Sequence, residues 1–267
     1  MVSKTRIYAM VWLHLVRTSR FTLSLVNWGV IEFLWLSIYI LGVLAFAPPS
    51  EYQLIIPMVF WAVAAFGLMS TPVWTIGNWM KYYVNTGVFE EHELYNVSHS
   101  LFLALRALPS IVLTLASLTV AWIFLRELTG INPMRVEDPL LLVFGLFFIL
   151  VLATLYSLII AFLSLYTEAP GPLLDFMNLL LFIIGGIAAP VERLPDPLKT
   201  IAVLTPYSHP AEIIRYASVG YRPYLGLAQE IIATIGYTLL LASLVIMVSR
   251  KAVKKAKKEG VKGIGRT

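Results

Sequence analysis

The sequence predicts an all-α integral membrane protein with six transmembrane helices. Hydrophobic residues make up 59% of its 267 residues and charged residues only 13%, whereas charged residues make up about 25% of a soluble domain. A soluble fold of this length could not bury so much apolar surface, but a bilayer removes the need to bury it. The apolar residues also form runs near the length of about 20 residues that a membrane crossing requires.

Six such runs divide the chain, and together they predict a single transmembrane domain over residues 1–267. The predicted spans are Leu25–Phe46, Leu54–Trp74, Pro109–Leu125, Leu140–Leu165, Leu173–Ala189 and Leu225–Val248. We expect the second span to continue as helix beyond Trp79. The dipeptide Gly185-Gly186 lies inside the fifth span, where it indicates close helix packing or a bend.

Lysine and arginine residues are distributed unequally between the segments that connect these spans. Fourteen of the 20 lie before span one, between spans two and three, or after span six, and six lie in the other connections. Because cytoplasmic segments carry the excess of basic residues, both termini are predicted to lie in the cytoplasm, with the protein in the cell membrane. The basic tail, residues 250–267, is predicted to anchor the last span at anionic lipid.

Residues 4–21 precede the first span and have a different pattern. Arg6, His14, Arg17 and Arg20 fall within one third of a helical wheel, and apolar residues occupy much of the rest. This pattern is typical of an amphipathic helix that lies in the headgroup layer of the membrane. The alternative is that these residues are simply a basic flank of span one.

The connection between spans two and three, residues 81–108, is long and predicted to be cytoplasmic; we call it the elbow. It contains an acidic cluster of Glu90, Glu91 and Glu93, followed by a short predicted helix, Ser98–Leu108, with Ser98 as its cap. On that helix Leu101, Leu105 and Leu108 share one face. A connection of this length is usually functional or disordered, and its apolar content argues for function.

Residues 190–224, between spans five and six, contain six prolines and two short apolar pieces, Ile201–Leu204 and Ala211–Ile214. These pieces are too short to cross a bilayer. They fit re-entrant half-helices on the outer side, which a membrane protein tolerates only where they pack against other protein.

No motif of an enzyme active site is present. The sequence lacks the GxxxxGK[ST] loop that holds nucleotide phosphates, contains no cysteine, and has four histidines without metal-ligand spacing. Ionisable or polar residues within spans are the remaining candidates: Glu32, Asp175 and Asn178 would line a translocation path. The alternative, which also applies to Glu230, is that each reaches an interface or pairs with a neighbouring helix.

An ordered motif follows the fifth span: a proline beside an acidic residue, a Leu-Pro step, an apolar-Pro step, and an acidic–apolar–Arg helix. Its residues are Pro190, Glu192, Leu194, Pro195, Pro206, Glu212 and Arg215. In this order and spacing the segment resembles permeases of the type-2 ABC exporter family, which includes drug, polysaccharide and lipid exporters. In the elbow, Gly87-Val88-Phe89-Glu90 fits the start of the family pattern, but Glu91-His92-Glu93 and Asn96 replace its apolar run and proline.

The resemblance implies a transmembrane permease subunit that forms the translocation path and works as a homodimer or with a related permease. It also implies a separate ATP-binding cassette ATPase partner that carries ATP and magnesium, so the chain itself is not an enzyme. The elbow would couple the two subunits through Gly87, Phe89, Glu90, Glu91, Glu93, Ser98, Leu101 and Leu105. Membrane lipid is the other expected partner, and nucleic acid is not expected.

Two other classes of membrane protein remain as alternatives. An integral-membrane enzyme that modifies lipid would need a cluster of Asp, Glu, His or Lys at one membrane face. An ion-coupled carrier would show inverted repeats and charges at the membrane midplane. The sequence shows neither pattern.

Overall fold

The computed structural model describes residues 4–77, 79–165 and 171–259, and every regular element within them is a helix. A π-helical turn, Val73–Gly77, follows α3, and short 3-10 turns occur at Pro49–Glu51 and Val191–Arg193. The helices are α1 (Lys4–Ser19), α2 (Thr22–Phe46), α3 (Tyr52–Pro72), α4 (Trp79–Asn85), α5 (Val88–Leu94), α6 (His99–Thr129), α7 (Pro139–Leu163), α8 (Gly171–Ile184), α9 (Asp196–Leu204), α10 (Ser208–Val219) and α11 (Leu227–Glu259).

Five segments of the described residues are long and apolar enough to cross a membrane. They are Gly29–Phe46, Pro49–Asn85, His99–Thr129, Pro139–Leu163 and Leu227–Lys258. They correspond to predicted spans one to four and span six, so the prediction of an all-helical membrane protein is confirmed. The second segment also extends past Trp79, as expected.

The predicted fifth span is shorter in the structure than the sequence suggested. Helix α8 has 14 residues, which at 1.5 Å per residue span about 21 Å of a hydrocarbon core about 30 Å thick. Gly185-Gly186 ends the helix instead of lying within it, because Gly186 adopts a left-handed φ of +71°. A Cβ on Gly186 would lie 2.8 Å from Val191 Cγ2. The prediction that helix continues to Ala189 was therefore wrong.

The predicted elbow helix and the third span form one continuous helix, α6. Ser98 caps its first turn, since the Ser98 hydroxyl accepts a hydrogen bond from the Leu101 amide at 3.4 Å. Gly130 ends it with a φ of +69°. The sequence placed a boundary at Pro109, but this proline lies inside the helix. The elbow is therefore joined to the third candidate span by unbroken helix.

Helix α7 lies at the centre of the bundle and packs against α3, α10 and α11. Two clusters of buried hydrophobic residues surround it. One joins Ile149 of α7 to Ile214 of α10, and the other joins Phe162 of α7 to Phe102 of α6 near the elbow. The bundle thus has one core around α10 and another around the elbow.

Helix α1 packs against α6, and its two buried residues are Met10 and His14. His14 is buried against Phe102, with ring centroids 4.6 Å apart. Ile7, Trp12 and Leu15 are exposed. An apolar helix face left without protein contacts is what an interfacial helix presents to lipid.

Candidate functional site

The elbow is a compact helical turn, not an extended loop. Helix α4 ends at Asn85, Gly87 takes a left-handed φ of +74°, and α5 follows at once. Asn96 takes a φ of +54°, after which Ser98 begins α6. Left-handed backbone at Gly87 and Asn96 thus lies on either side of α5.

A cluster of aromatic and histidine side chains packs on the buried side of α5. Phe89 is buried and stacks on His99, with ring centroids 4.3 Å apart and planes at 7°. His92 meets the Phe102 ring edge-on at 4.3 Å, and Tyr83 contacts Phe102 at 5.4 Å. Phe89, predicted as a coupling residue, therefore holds α5 in place and is not part of its exposed surface.

Glu93 connects the elbow to the far end of the chain. Its Oε1 lies 2.8 Å from His99 Nε2, and its Oε2 pairs with Lys257 Nζ of α11. Partial burial raises the pKa of Glu93, but the hydrogen bonds from Lys257 and His99 outweigh this effect and lower the pKa overall. Glu93 is therefore a carboxylate at neutral pH and ties α5 to both α6 and α11.

Burial also keeps two histidines of this region uncharged. Burial first, and then the neighbouring His99, lower the pKa of His92 to about 4. Burial likewise lowers the pKa of His14 to about 4, while His14 Nε2 donates to the Phe102 carbonyl at 3.0 Å. The cluster beneath α5 is thus held by neutral rings at neutral pH.

Two arginines flank Trp79 where α1 and α6 approach α4. The guanidinium of Arg106 lies 3.0 Å from the Trp79 ring centroid, and that of Arg17 lies 4.5 Å from it. Arg17 also donates to the Tyr82 hydroxyl at 2.9 Å. These cation–π contacts join α1 and α6 to α4.

Four exposed side chains form the outer surface of α5: Glu90, Glu91, Leu94 and Tyr95, which we call the tip. The predicted acidic cluster therefore divides, because Glu93 turns inward. Leu94 and Tyr95 are 83% and 73% exposed, and the sequence analysis missed both. Isolated apolar residues in a polar connection do not indicate by themselves which side chains point outward.

The remaining predicted coupling residues lie on the first turns of α6. Leu101 and Leu105 are half-buried and pack against the elbow cluster. Leu108 is 40% exposed. The predicted apolar face therefore exists, but much of it is covered by the chain itself.

At the opposite end of the bundle, Glu212 and Arg215 of α10 form a buried ion pair, which we call the outer network. Arg215 Nη1 lies 2.6 Å from Glu212 Oε1. Arg215 Nη2 also donates to the carbonyls of Gly186, Ile187 and Ala189. The guanidinium thereby satisfies three carbonyls of the turn that ends α8.

The carboxylate of Glu212 is equally well satisfied. It accepts a hydrogen bond from the Val191 amide at 3.0 Å and another from the Tyr224 amide at 3.2 Å. The pair thus joins three segments: the turn after α8, helix α10, and the loop before α11. The sequence motif identified Glu212 and Arg215, but their partners are 12 to 29 residues away in the chain.

The other motif residues lie in the segment of chain that connects α8 to α10. Pro190 is buried beside the outer network, and Glu192 and Leu194 belong to or follow the 3-10 turn. Pro195 precedes α9, and Pro206 lies between α9 and α10. Glu192 and Pro195 are exposed.

A second buried pair joins α10 to α11. His209 Nδ1 lies 2.6 Å from Glu230 Oε2, and His209 Nε2 lies 3.0 Å from the Val203 carbonyl. Because a carbonyl only accepts, Nε2 donates the hydrogen bond to Val203. Pairing with a neighbouring element was one of the two alternatives for Glu230, and the structure shows it; His209 had not been recognised as the partner.

Two of the three predicted translocation residues, Glu32 and Asp175, have side chains outside the described part of the chain. The third, Asn178, is buried on α8. Among the described residues, no group of three or more histidine or acidic side chains is placed to hold a metal ion.

The model of one protein family, described as "ABC-2 type transporter", matches residues 5–219. The match begins in α1, includes the elbow and the outer network, and covers about four fifths of the chain. No curated protein matches the sequence. The chain is therefore a multi-pass membrane protein that belongs to the ABC-2 type transporter family and serves as its permease subunit, which lacks the ATPase.

Proposed function

We propose that this permease belongs to an exporter and that the tip of α5 docks on its separate ATPase subunit. The observation that carries the proposal is the contrast within the elbow. Glu90, Glu91, Leu94 and Tyr95 are exposed, while the residues beneath them are packed into a cluster. An exposed apolar pair beside two carboxylates fits a partner surface that combines an apolar pocket with basic side chains.

The packing beneath the tip supports a coupling role. Glu93 ties α5 to α11 through Lys257 and to α6 through His99. A force applied at the tip would therefore act on two membrane-spanning helices together. A flexible loop could bind a partner but could not transmit its movement in this way.

For the architecture, we propose six spans with both termini in the cytoplasm and a re-entrant segment formed by α9 and α10. Helix α10 contains buried polar residues yet packs against the candidate spans α3, α7 and α11. Non-helical backbone at membrane depth requires such burial in protein. On this proposal, α8 crosses the membrane together with the turn that Arg215 stabilises.

The translocation path remains a proposal at Glu32, Asp175 and Asn178. We further propose that two permeases, identical or related, pair in the membrane and that ATP and magnesium are held by the ATPase. The exposed apolar sides of α2 and α11 support contact with lipid or a second permease.

Recovery of the partner ATPase with affinity-tagged permease tests the docking site. Glu90→Lys with Glu91→Lys should reduce recovery several-fold, and Leu94→Asp should do the same through the apolar part of the contact. The matched control is Glu192→Lys, which reverses an exposed charge at the opposite end of the bundle. Unchanged recovery with both tip variants would exclude the tip as the docking site.

The orientation has its own test, because the chain has no native cysteine. Cysteine at Leu94 should resist a membrane-impermeant thiol reagent in intact cells, and cysteine at exposed Arg222 should react with it. Arg222 is preferred to Ser218 for this test, because the Ser218 side chain is fully buried and a cysteine there would be shielded from the reagent. Reaction at the Leu94 position in intact cells would reverse the proposed orientation.

A further inference from the structure

An open cleft of about 490 Å³ lies between the elbow, the inner end of α7 and the basic extension of α11. Arg250, Lys254 and Lys257 line one wall, while Ser98 and Ser100 of the first turn of α6 line the other. The cleft is distinct from the tip of α5. The docking surface does not include it, although Glu93, His99 and Lys257, which carry the proposed coupling, are among its lining residues.

The charge of this cleft is positive. Three basic side chains face it, and the carboxylate that lines it, Glu93, already pairs with Lys257 and His99. Arg250, Lys254 and Lys257 follow one another at intervals of four and three residues, which places them on one face of α11. Arg250 and Lys254 have exposed side chains, and two serine hydroxyls stand opposite them.

The depth of the cleft indicates its ligand. After Glu230, α11 contains no charged residue until Arg250, so Arg250 marks the end of the hydrocarbon region. Lys254 and Lys257 follow about 6 Å and about 10 Å farther along the helix axis. The headgroup layer on each side of a bilayer is roughly 5–8 Å thick, which places the upper part of the cleft within it.

We propose that this cleft binds the phosphate group of an anionic lipid from the cytoplasmic leaflet. Guanidinium, ammonium and hydroxyl groups are the donors that phosphate oxygens accept from, and all three converge here. The acyl chains would lie along the apolar part of α11. The proposal rests on the proposed orientation of α11 but not on the docking of the ATPase.

Lipid binding can be measured on the full chain alone, purified in an uncharged detergent. Native mass spectrometry would follow titration with dihexanoyl phosphatidylglycerol, with dihexanoyl phosphatidylcholine and with inorganic phosphate. We expect phosphatidylglycerol to be retained and the other two to bind at least tenfold more weakly. Arg250→Gln with Lys254→Gln should weaken phosphatidylglycerol binding at least about tenfold, since each change removes a hydrogen-bond donor to a charged phosphate.

The matched control is Lys251→Gln with Lys258→Gln, which removes the same charge from α11 at residues that do not line the cleft. This control should change binding about twofold or less, and thermal unfolding should show that both double variants are folded. An equal loss in both would mean general attraction to a basic helix and would overturn the site. Inorganic phosphate binding as tightly as the lipid would identify a soluble anion and overturn the lipid proposal.

A final comparison separates this proposal from the docking proposal. If the cleft variants lose the ATPase in the recovery assay while their lipid binding is unchanged, the cleft is a protein contact and the lipid proposal is wrong. If the cleft variants lose lipid while the tip variants lose the ATPase, both proposals stand independently.

Discussion

Replacement of Arg215 by methionine tests the outer network directly. Methionine is similar in length and fits an apolar surrounding, so the change removes charge and donors with little change in packing. It leaves Glu212 as an unpaired carboxylate that is 1% exposed. It also removes the donor from the carbonyls of Gly186, Ile187 and Ala189.

The expected cost follows from these contacts. Breaking a buried ion pair by removing one partner costs about 3–5 kcal/mol, because the remaining charge stays buried without its counter-ion. For a chain of about this length, a loss of that much stability lowers the Tm by roughly 6–20 °C. Water can donate hydrogen bonds to some of the three carbonyls after the substitution, so the cost of each lost hydrogen bond is not added separately.

Thermal unfolding of the detergent-solubilised permease measures the effect. The control is Glu137→Gln, which breaks the exposed Arg135–Glu137 pair at 2.7 Å and should cost less than about 1 kcal/mol. The double variant Glu212→Gln with Arg215→Met should be less destabilised than the sum of the single variants, since it leaves no unpaired charge. A Tm for Arg215→Met equal to that of the control would refute a structural role for the network.

Two further predictions concern the elbow. Lowering the pH from about 6.5 to about 4 should destabilise the elbow. Burial lowers the pKa of His92 to about 4, so in this range the unfolded chain binds a proton that the folded chain does not. Limited proteolysis of the elbow should become faster as the pH falls, and His92→Phe should reduce this pH dependence. Gly87→Ala should cost about 1–2 kcal/mol, because φ is +74° there although nothing lies within 4 Å. Gly42→Ala, equally open but helical, should be neutral or slightly stabilising; equal Tm values for the two alanine variants would contradict the backbone argument.

Composition and run length were sufficient to predict the helical membrane fold, because both depend on the bilayer and not on tertiary contacts. They could not predict where α8 ends. Apolar residues continue past Ile184, and the end is set by the left-handed backbone of Gly186 and by donors from Arg215, which is 29 residues away. Pro109 misled the prediction in the opposite direction, since α6 continues through it.

The candidate sites show the same limit. The ordered motif and its resemblance to a family marked Glu212 and Arg215 as residues of interest. Their partners are backbone groups of other segments, which no local pattern indicates. The Glu93–Lys257 pair joins residues 164 positions apart in sequence, and only the fold brings them together.

The continuity of α6 has a mechanical consequence. Its 31 residues correspond to about 46 Å of helix, and its first turn lies inside the elbow. If the C-terminal end is held by the contacts of α6 with α2 and α3, a tilt of only about 5° moves the N-terminal end by about 4 Å. On the proposed coupling role, the helix would then act as a lever that converts a displacement of a few ångströms at the elbow into a change of angle between helices.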